Sequence, residues 1–371
     1  MNDSEEAVGS PSSEPEVAAV SLSLVIPAYN EGLRLPDGLS RLRIAIASGA
    51  IDPATTEFVV VDDGSTDDTT AKAHDLFSSF PHVIHVRLSE NHGKGGAVRA
   101  GVAVASAPIV AFADADMAID PAQTPEFIRS LADADLAIGS RAASGASVNR
   151  PSLRRSIMNR AFNRLVNVVT RVALDDTQCG FKAFRAPVAK LLFHCSVTER
   201  FAFDVEILSL ARRLGLPIAE VPVQWMRVGG SQIRPWTDAR SMVRDVFHAG
   251  RGGASAVPVP TLTVGHAGED PSTGTLPSLS VVSGALPPGL PVLASDGRVL
   301  VLCPLMDEDA VERTETMIKA RFPDVVVGRT ELTVAQLSQM SPVKLTWDDE
   351  AISRQVDQAL PAAIVGKVSG A

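Results

Sequence analysis

"VVVDDGSTDDT", residues Val59 to Thr69, runs β-branched apolar residues straight into two carboxylates, a glycine and a set of small hydroxyls. The apolar run reads as a buried strand. Asp, Gly, Ser and Thr read as a turn that leads into a helix at about Asp67. Turn chemistry alone does not require two adjacent acids at a strand end, so the surrounding sequence has to decide what they are for.

Outward from this stretch, strands and helices alternate. "SLSLVI" from Ser21 is a strand and Leu35 to Ala47 a helix. "EFVVV" is a strand, followed by the helix from Asp67 to Phe77. "VIHV", a helix from Ala97 to Ala105, and the strand "PIVAFA" come next. Near-continuous apolar strands alternating with helices predict an α/β fold with a mostly parallel sheet covered on both faces. Ligands of such sheets bind at the carboxyl ends of the strands. Four polar clusters fall there: "PAYNE" (Pro27 to Glu31), "DDGS" (Asp62 to Ser65), "SENHGKGGAVR" (Ser89 to Arg99) and "DAD" (Asp114 to Asp116). Carboxylates dominate three of them, which points to one shared ligand site at one sheet edge.

"DAD" places carboxylates at i and i+2 after an apolar strand, a donor pair suited to Mg²⁺ or Mn²⁺ alongside substrate phosphates. "HGKGGAVR" combines close-approach glycines with Lys94 and Arg99. It is not a Walker A loop, since Gly95 follows Lys94, and no G-x-G-x-x-G follows the first strand, so a dinucleotide cofactor is not expected. From Leu153 to Leu174 an apolar stripe (Leu153, Ile157, Ala161, Leu165, Val169, Val172) opposes a polar one (Arg155, Asn159, Asn163, Asn167, Arg171), with no acid before Asp175. This is either a basic amphipathic helix for an anionic membrane surface or an ordinary helix whose stripe faces the core.

The whole chain of 371 residues is 45% hydrophobic and 21% charged, ordinary globular composition. Its net charge of −9 argues against general attraction to nucleic acid. Cys179, Cys195 and Cys303 fit no metal-ligand spacing and suit a reducing compartment. Residues 1–20, acidic and rich in Ser and Pro, read as a disordered tail without a signal peptide. No apolar run reaches about 18 residues, the length of a membrane span. A cytoplasmic protein is expected, peripheral at the inner face of the membrane. Seven prolines and seven glycines between Arg251 and Asp296 read as a linker. That leaves a main domain at 21–250 and a small α/β domain at 297–371, with strands "RVLVLC", "DVVVG" and "VKLTW", a helix in "DEDAVERTETMIKARF", and no catalytic motif.

"SLVIPAYNE", "VVVDDGSTDDT", "NHGKGGAVRAG", "DAD" and "GSR" together resemble the family 2 glycosyltransferases of the GT-A fold. "DTQCGFKAFR" and "ERFAFDVEILSLARRLGLPIAEVPVQW" resemble the dolichyl-phosphate or polyprenyl-phosphate β-glucosyltransferase branch, close to the dolichyl-phosphate mannose synthases. The resemblance covers about Ser21 to Gly250.

It implies inverting transfer of glucose from UDP-glucose to a polyprenyl phosphate. Asp63 would contact the uracil, Asp62 would shape the turn, and Pro27, Tyr29, Glu31 and Val61 would wall the nucleotide. Lys94 belongs to the nucleotide-sugar site. Asp114 and Asp116 would hold Mg²⁺ or Mn²⁺, with Asp116 counted as catalytic. Arg141 of "GSR" would meet phosphate, and Asp204 would be a catalytic-site carboxylate, positioning groups rather than abstracting a proton. Arg141, Arg154, Arg155, Gln232 and Arg234 would take the acceptor phosphate. The sequence departs from the family at Ala118, where a polar residue is common, and at Gln232, where Lys is common. The alternatives are GDP-mannose as donor, a soluble acceptor, a nucleotidyltransferase, and a non-catalytic nucleotide-sugar binding protein.

Overall fold

The computed structural model describes residues 20–148, 153–200, 202–226, 246–247, 256–266, 282, 286, 290–295, 298–323 and 325–340, and of 153–159, 266, 294 and 295 the backbone alone. Strands β1 (Leu22–Ala28), β2 (Thr56–Asp62), β3 (Val83–Arg87) and β4 (Ile109–Ala113) alternate with helices α1 (Leu35–Ala47), α2 (Thr69–Phe77) and α3 (Lys94–Val104). Helix α4 (Thr124–Ser130) leads into β5 (Leu136–Ser140), then come the short β6 (Ser147–Val148) and α5 (Leu153–Thr170). Strand β7 (Phe181–Arg185), helices α6 (Ala186–Cys195) and α7 (Phe203–Arg213), β8 (Ile218–Pro222) and β9 (Gln224–Trp225) complete the main unit.

The central sheet has seven strands in the order β3-β2-β1-β4-β7-β5-β8. All pairings are parallel except those of β7, which runs against β4 and β5. Side chains leave successive strand positions on opposite faces. Leu24, Ile26, Phe58 and Val60 accordingly pack with α1, α2 and Phe127 of α4, whereas Val25, Val59, Val61 and Phe112 pack with α3, α6 and α7. Both faces are covered, which is why β1, β2 and β4 are apolar through their middles; near the amino ends the buried Ser23 donates to Glu57.

Helix α5 divides its faces in a way the sequence left open. Val166 is buried with Val205 of α7 and Val246, and Phe162 and Val169 pack beside them. The amides of Asn163 and Asn167, part of the polar stripe, turn inward and donate to Leu174 O at 2.9 and 2.8 Å. Val168 is 71% exposed. Among the described residues no helix is long and apolar enough to cross a membrane.

The second unit begins earlier than its composition implied. Residues 258–266, read as linker, form β10 (Pro258–His266), an inner strand of a four-stranded antiparallel sheet. Its partners are β11 (Val292–Ser295), β12 (Arg298–Leu302) and β13 (Val325–Thr333), in the order β11-β12-β10-β13, with helices α8 (Glu308–Arg321) and α9 (Val334–Leu337). Proline density hid the strand. Pairing with β12 starts only at Thr261, so the missing N–H groups of Pro258 and Pro260 leave no gap on that side. Asp307 caps α8, accepting from Ala310 N at 2.7 Å. Val259, Leu293, Leu300, Leu302, Val334 and Leu337 share a core with α6, so the two units are packed together. The tail to residue 19, "VKLTW", Gln232 and Arg234 lie outside the described residues, as do the side chains of Arg154 and Arg155.

Candidate active site

The two acids that end β2 face different neighbours. Asp62 turns back onto its own loop: Oδ1 accepts from Ser65 N at 2.8 Å, and Oδ2 accepts from the Thr70 hydroxyl at the start of α2. The same loop is stitched to the end of β1. Asn30 N donates to Ser65 Oγ at 3.0 Å, Thr66 N donates to Asn30 Oδ1 at 2.9 Å, and Glu31 N donates to Thr69 Oγ1 at 2.8 Å. Asn30 holds φ 51°, a left-handed conformation that Asn tolerates. The "PAYNE" and "DDGST" stretches are thus one structure, with Pro27 and Val61 buried and Tyr29 half-buried along it.

Asp63 points the other way, into the glycine-rich loop. Its Oδ1 accepts from His92 N at 2.8 Å, and Oδ2 accepts from Gly93 N at 2.7 Å and Asn91 Nδ2 at 2.9 Å. Gly93 holds φ 93°, and a Cβ there would press on Glu199 O, so only glycine fits. Burial raises the Asp63 carboxyl above its usual range against the opposing pull of the His92 and Gly93 N–H groups. One carboxylate therefore fixes the entry to α3, whose first residue is Lys94.

The acidic pair follows β4. Asp114, Asp116 and Ala118 face outward while Ala115, Met117 and Ile119 are buried, so both carboxylates leave on one side. Arg41 Nη1 holds the bend, donating to Asp116 O and Met117 O at 3.2 and 3.1 Å. Gly180 passes so close that a Cβ would collide with Asp114 Oδ2. Lys94 Nζ pairs with Asp114 Oδ1 at 2.6 Å. Arg34 bridges Glu31 and Asp116, the latter at 3.5 Å. Burial lifts Glu31 to about 7; Arg34 opposes the rise, and the charges of Asp116 and Asp114 add to it. Burial, then Asp114, also raises Asp116. Lys94 is raised although burial alone would lower it, because Asp114 and Asp204 outweigh that effect.

These residues fit a divalent cation. Glu31 Oε2 is buried without a hydrogen-bond partner beside two further carboxylates, a set of hard oxygen donors. No group of three or more His, Cys, Asp or Glu among the described residues is arranged to hold a metal alone. Asp114 and Asp116 could hold one with oxygens of a bound diphosphate, the usual Mg²⁺ arrangement.

Arg141, at the end of β5, is forked onto Asp176: Nε to Oδ2 at 2.6 Å and Nη2 to Oδ1 at 2.9 Å. The pairing raises Arg141 and lowers Asp176, against burial in both cases. Asp204, in the first turn of α7, is buried and pairs with Lys182 Nζ at 2.7 Å. Lys182 and Lys94 both approach Phe112, their ammoniums 5.5 and 5.6 Å from its ring centre. Asp204 is thus in the floor of the site. Glu206 Oε2 organises the loop before α7, accepting from Ser196 Oγ, Val197 N and Thr198 N at 2.7, 3.1 and 2.8 Å.

Sequence reasoning missed Arg34, Asn91, Asp176 and Lys182. Lys182 carried a signal, a charged residue between Phe181 and Ala183 in an apolar strand. Arg34 and Asn91 carried none, because Asp116 and Asp63, the acids they reach, follow other strands of the sheet.

The profile of glycosyl transferase family 2 matches residues 23–193. A dolichyl-phosphate beta-glucosyltransferase of Drosophila melanogaster is 39% identical over 62% of this chain and 74% of its own length. The one from Homo sapiens is 35% identical over 61% and 74%. Among solved structures, glucosyl-3-phosphoglycerate synthase from Mycobacterium tuberculosis, in complex with Mn²⁺, UDP and glucosyl-3-phosphoglycerate, is 22% identical over 64% of this chain and 80% of that one, at a TM-score of 0.46. Identity of 39% across 74% of a relative's length, together with the profile match, makes the chain a member of glycosyl transferase family 2.

Proposed function

We propose that this chain transfers glucose from UDP-glucose to a polyprenyl phosphate of the dolichyl type, with inversion at the anomeric carbon. The observation that carries the reading is the similarity to dolichyl-phosphate beta-glucosyltransferases over 74% of their length. The site supports it. Tyr29 walls the nucleotide, and the buried Pro27 and Val61 back that wall from the core. Asp63 keeps a place on Oδ1 for the uracil N–H, since a carboxylate oxygen accepts about two hydrogen bonds and this one accepts one from the protein. A divalent ion on Asp114 and Asp116, Mg²⁺ or Mn²⁺, would neutralise the diphosphate and ease departure of UDP.

An acceptor phosphate oxygen forms the new bond to C1 as the C1–O bond to UDP breaks, and the electron pair leaves with UDP. No general base is required, because a phosphate monoester with a second pKa of about 6 is already ionised. Asp204 therefore acts by position, anchoring Lys182 beneath the acidic pair. Asp176 fixes the plane of Arg141, whose remaining N–H groups meet the acceptor phosphate. Arg154, Arg155, Gln232 and Arg234 are the further residues assigned to the acceptor phosphate by the family resemblance. The basic face of α5 rests on an anionic membrane at its cytoplasmic surface, where the lipid acceptor is presented.

The test is incubation of the purified chain with labelled UDP-glucose or GDP-mannose and either dolichyl phosphate or 3-phosphoglycerate. Label should enter the organic phase from UDP-glucose alone. Faster transfer to the soluble acceptor, or from GDP-mannose, overturns the proposal.

A further inference from the structure

The reaction above uses no residue of the second unit, yet that unit is not a bystander to the donor site. It meets the main unit at the end of α6. His194 Nδ1 accepts from Leu305 N at 3.1 Å, and Nε2 donates to Pro258 O at 2.8 Å. One imidazole thus ties two separate segments of the second unit, and the apolar contact of β10 with α6 lies beside it. Two residues later the chain enters the loop from Ser196 to Glu199. Ser196 O accepts from Arg99 Nη1 at 2.9 Å, and Glu199 O accepts from Gly96 N at 3.1 Å. Glu199 also lies 3.5 Å from His92, whose N–H is held by Asp63. Second unit, α6, the Ser196 loop and the glycine-rich loop form one unbroken series of contacts.

We infer that the second unit is a buttress of the nucleotide loop and that His194 is the positioning residue through which it acts. The inference rests on the donor-site reading above. Both ring nitrogens are spent on backbone groups of the second unit, so the register of α6 against it is fixed at the one end of that helix that leads to the donor loop. The loop carries Lys94, so its placement sets where positive charge stands over Asp114. A tethered loop binds a nucleotide without first having to be ordered.

The experiment uses full-length wild type, His194→Ala, His194→Gln and, as a control on the far side of the second unit, Arg329→Ala. Alanine suits a helix, and glutamine keeps one donor and one acceptor. Amide exchange of 92–99 and 258–264 is measured without ligand, the UDP dissociation constant by calorimetry, and kcat and KM for UDP-glucose by transfer. His194→Ala should speed exchange in both segments. It should weaken UDP binding about two- to tenfold, the worth of one neutral hydrogen bond, and raise KM with kcat little changed. His194→Gln should recover part of the loss, and Arg329→Ala should match wild type. Faster exchange at 258–264 with wild-type exchange at 92–99 and wild-type UDP affinity overturns the inference, as does wild-type behaviour of His194→Ala throughout. A wild-type chain that binds no UDP would instead refute the donor reading, and the exchange arm would still decide the buttress.

Discussion

Asp63→Asn keeps the side-chain volume and turns one acceptor into a donor. In the native loop Oδ1 serves one N–H, that of His92, and Oδ2 serves two donors, Gly93 N and Asn91 Nδ2. An amide group placed toward Gly93 strands two donors; placed toward His92 it strands one. The cheaper orientation leaves a buried backbone N–H facing an NH₂, a loss of about 1–3 kcal/mol. A neutral side chain recovers some of the desolvation that raises the Asp63 carboxyl, so the lower half, about 1–2 kcal/mol, is expected. That lowers Tm by about 2–8 °C for a unit of this size. If the loop must close on the nucleotide, UDP affinity falls about five- to thirtyfold. Calorimetry gives the affinity, and hydrogen exchange at His92 and Gly93 reports the loop. Lost UDP binding with wild-type protection of those two amides would show that Asp63 serves the nucleotide alone, and the loop argument would be wrong.

Asp116→Ala should lose Mn²⁺ binding by titration and lose turnover while melting like wild type; metal binding at wild-type strength would remove Asp116 from the ligand set. Glu31, raised to about 7 from an ordinary 4.5, binds its proton more tightly folded than unfolded. The metal-free protein should therefore be most stable below about pH 4.5 with respect to this group and lose up to about 3 kcal/mol as pH rises through 7. Glu31→Gln should flatten that slope in urea melts across this window, and an unchanged slope would assign it elsewhere. Arg141→Lys cannot fork onto Asp176 or onto phosphate, so kcat/KM for polyprenyl phosphate should fall about tenfold or more while the UDP dissociation constant holds. Binding to anionic vesicles should weaken with salt, since exposed charge is screened within about 10 Å at 0.1 M. Reversing the exposed Arg164 and Arg171 should reduce it, and equal binding by the reversed variant would clear α5 of the role.

The main sheet was legible because its strands are buried on both faces. "SLSLVI", "EFVVV" and "PIVAFA" could hardly be anything else, and their polar endings marked the edge where the ligand binds. The adjacent acids were legible as a site, and the resemblance already gave Asp62 the turn, where it accepts from Ser65 N. Nothing in "DDGS" says that Asp63 reaches residues 91–93, because that depends on the pairing of β2 with β3. Strand β10 was illegible for a different reason. Its prolines sit where the ladder does not need their N–H groups, and composition cannot show which side of a strand is paired. Asn163 and Asn167 read as a solvent stripe because helical spacing cannot reveal that a later loop, Leu174 to Asp175, offers carbonyls to them.

The antiparallel strand β7 has a consequence for the newborn chain. Strands β3, β2, β1 and β4 belong to one run of the sequence, residues 22–113, and pair only with one another until β7 arrives. The nucleotide half can therefore assemble early in synthesis, with the edge of β4 unpaired and the contact of Glu199 with Gly96 not yet possible. Roughly seventy residues separate β4 from β7, about 4–14 s of translation at about 5–20 residues per second. For that interval the emerging protein shows an apolar sheet edge ending in an unfinished anion loop, and whatever shields the nascent chain has to cover that edge until β7 closes it.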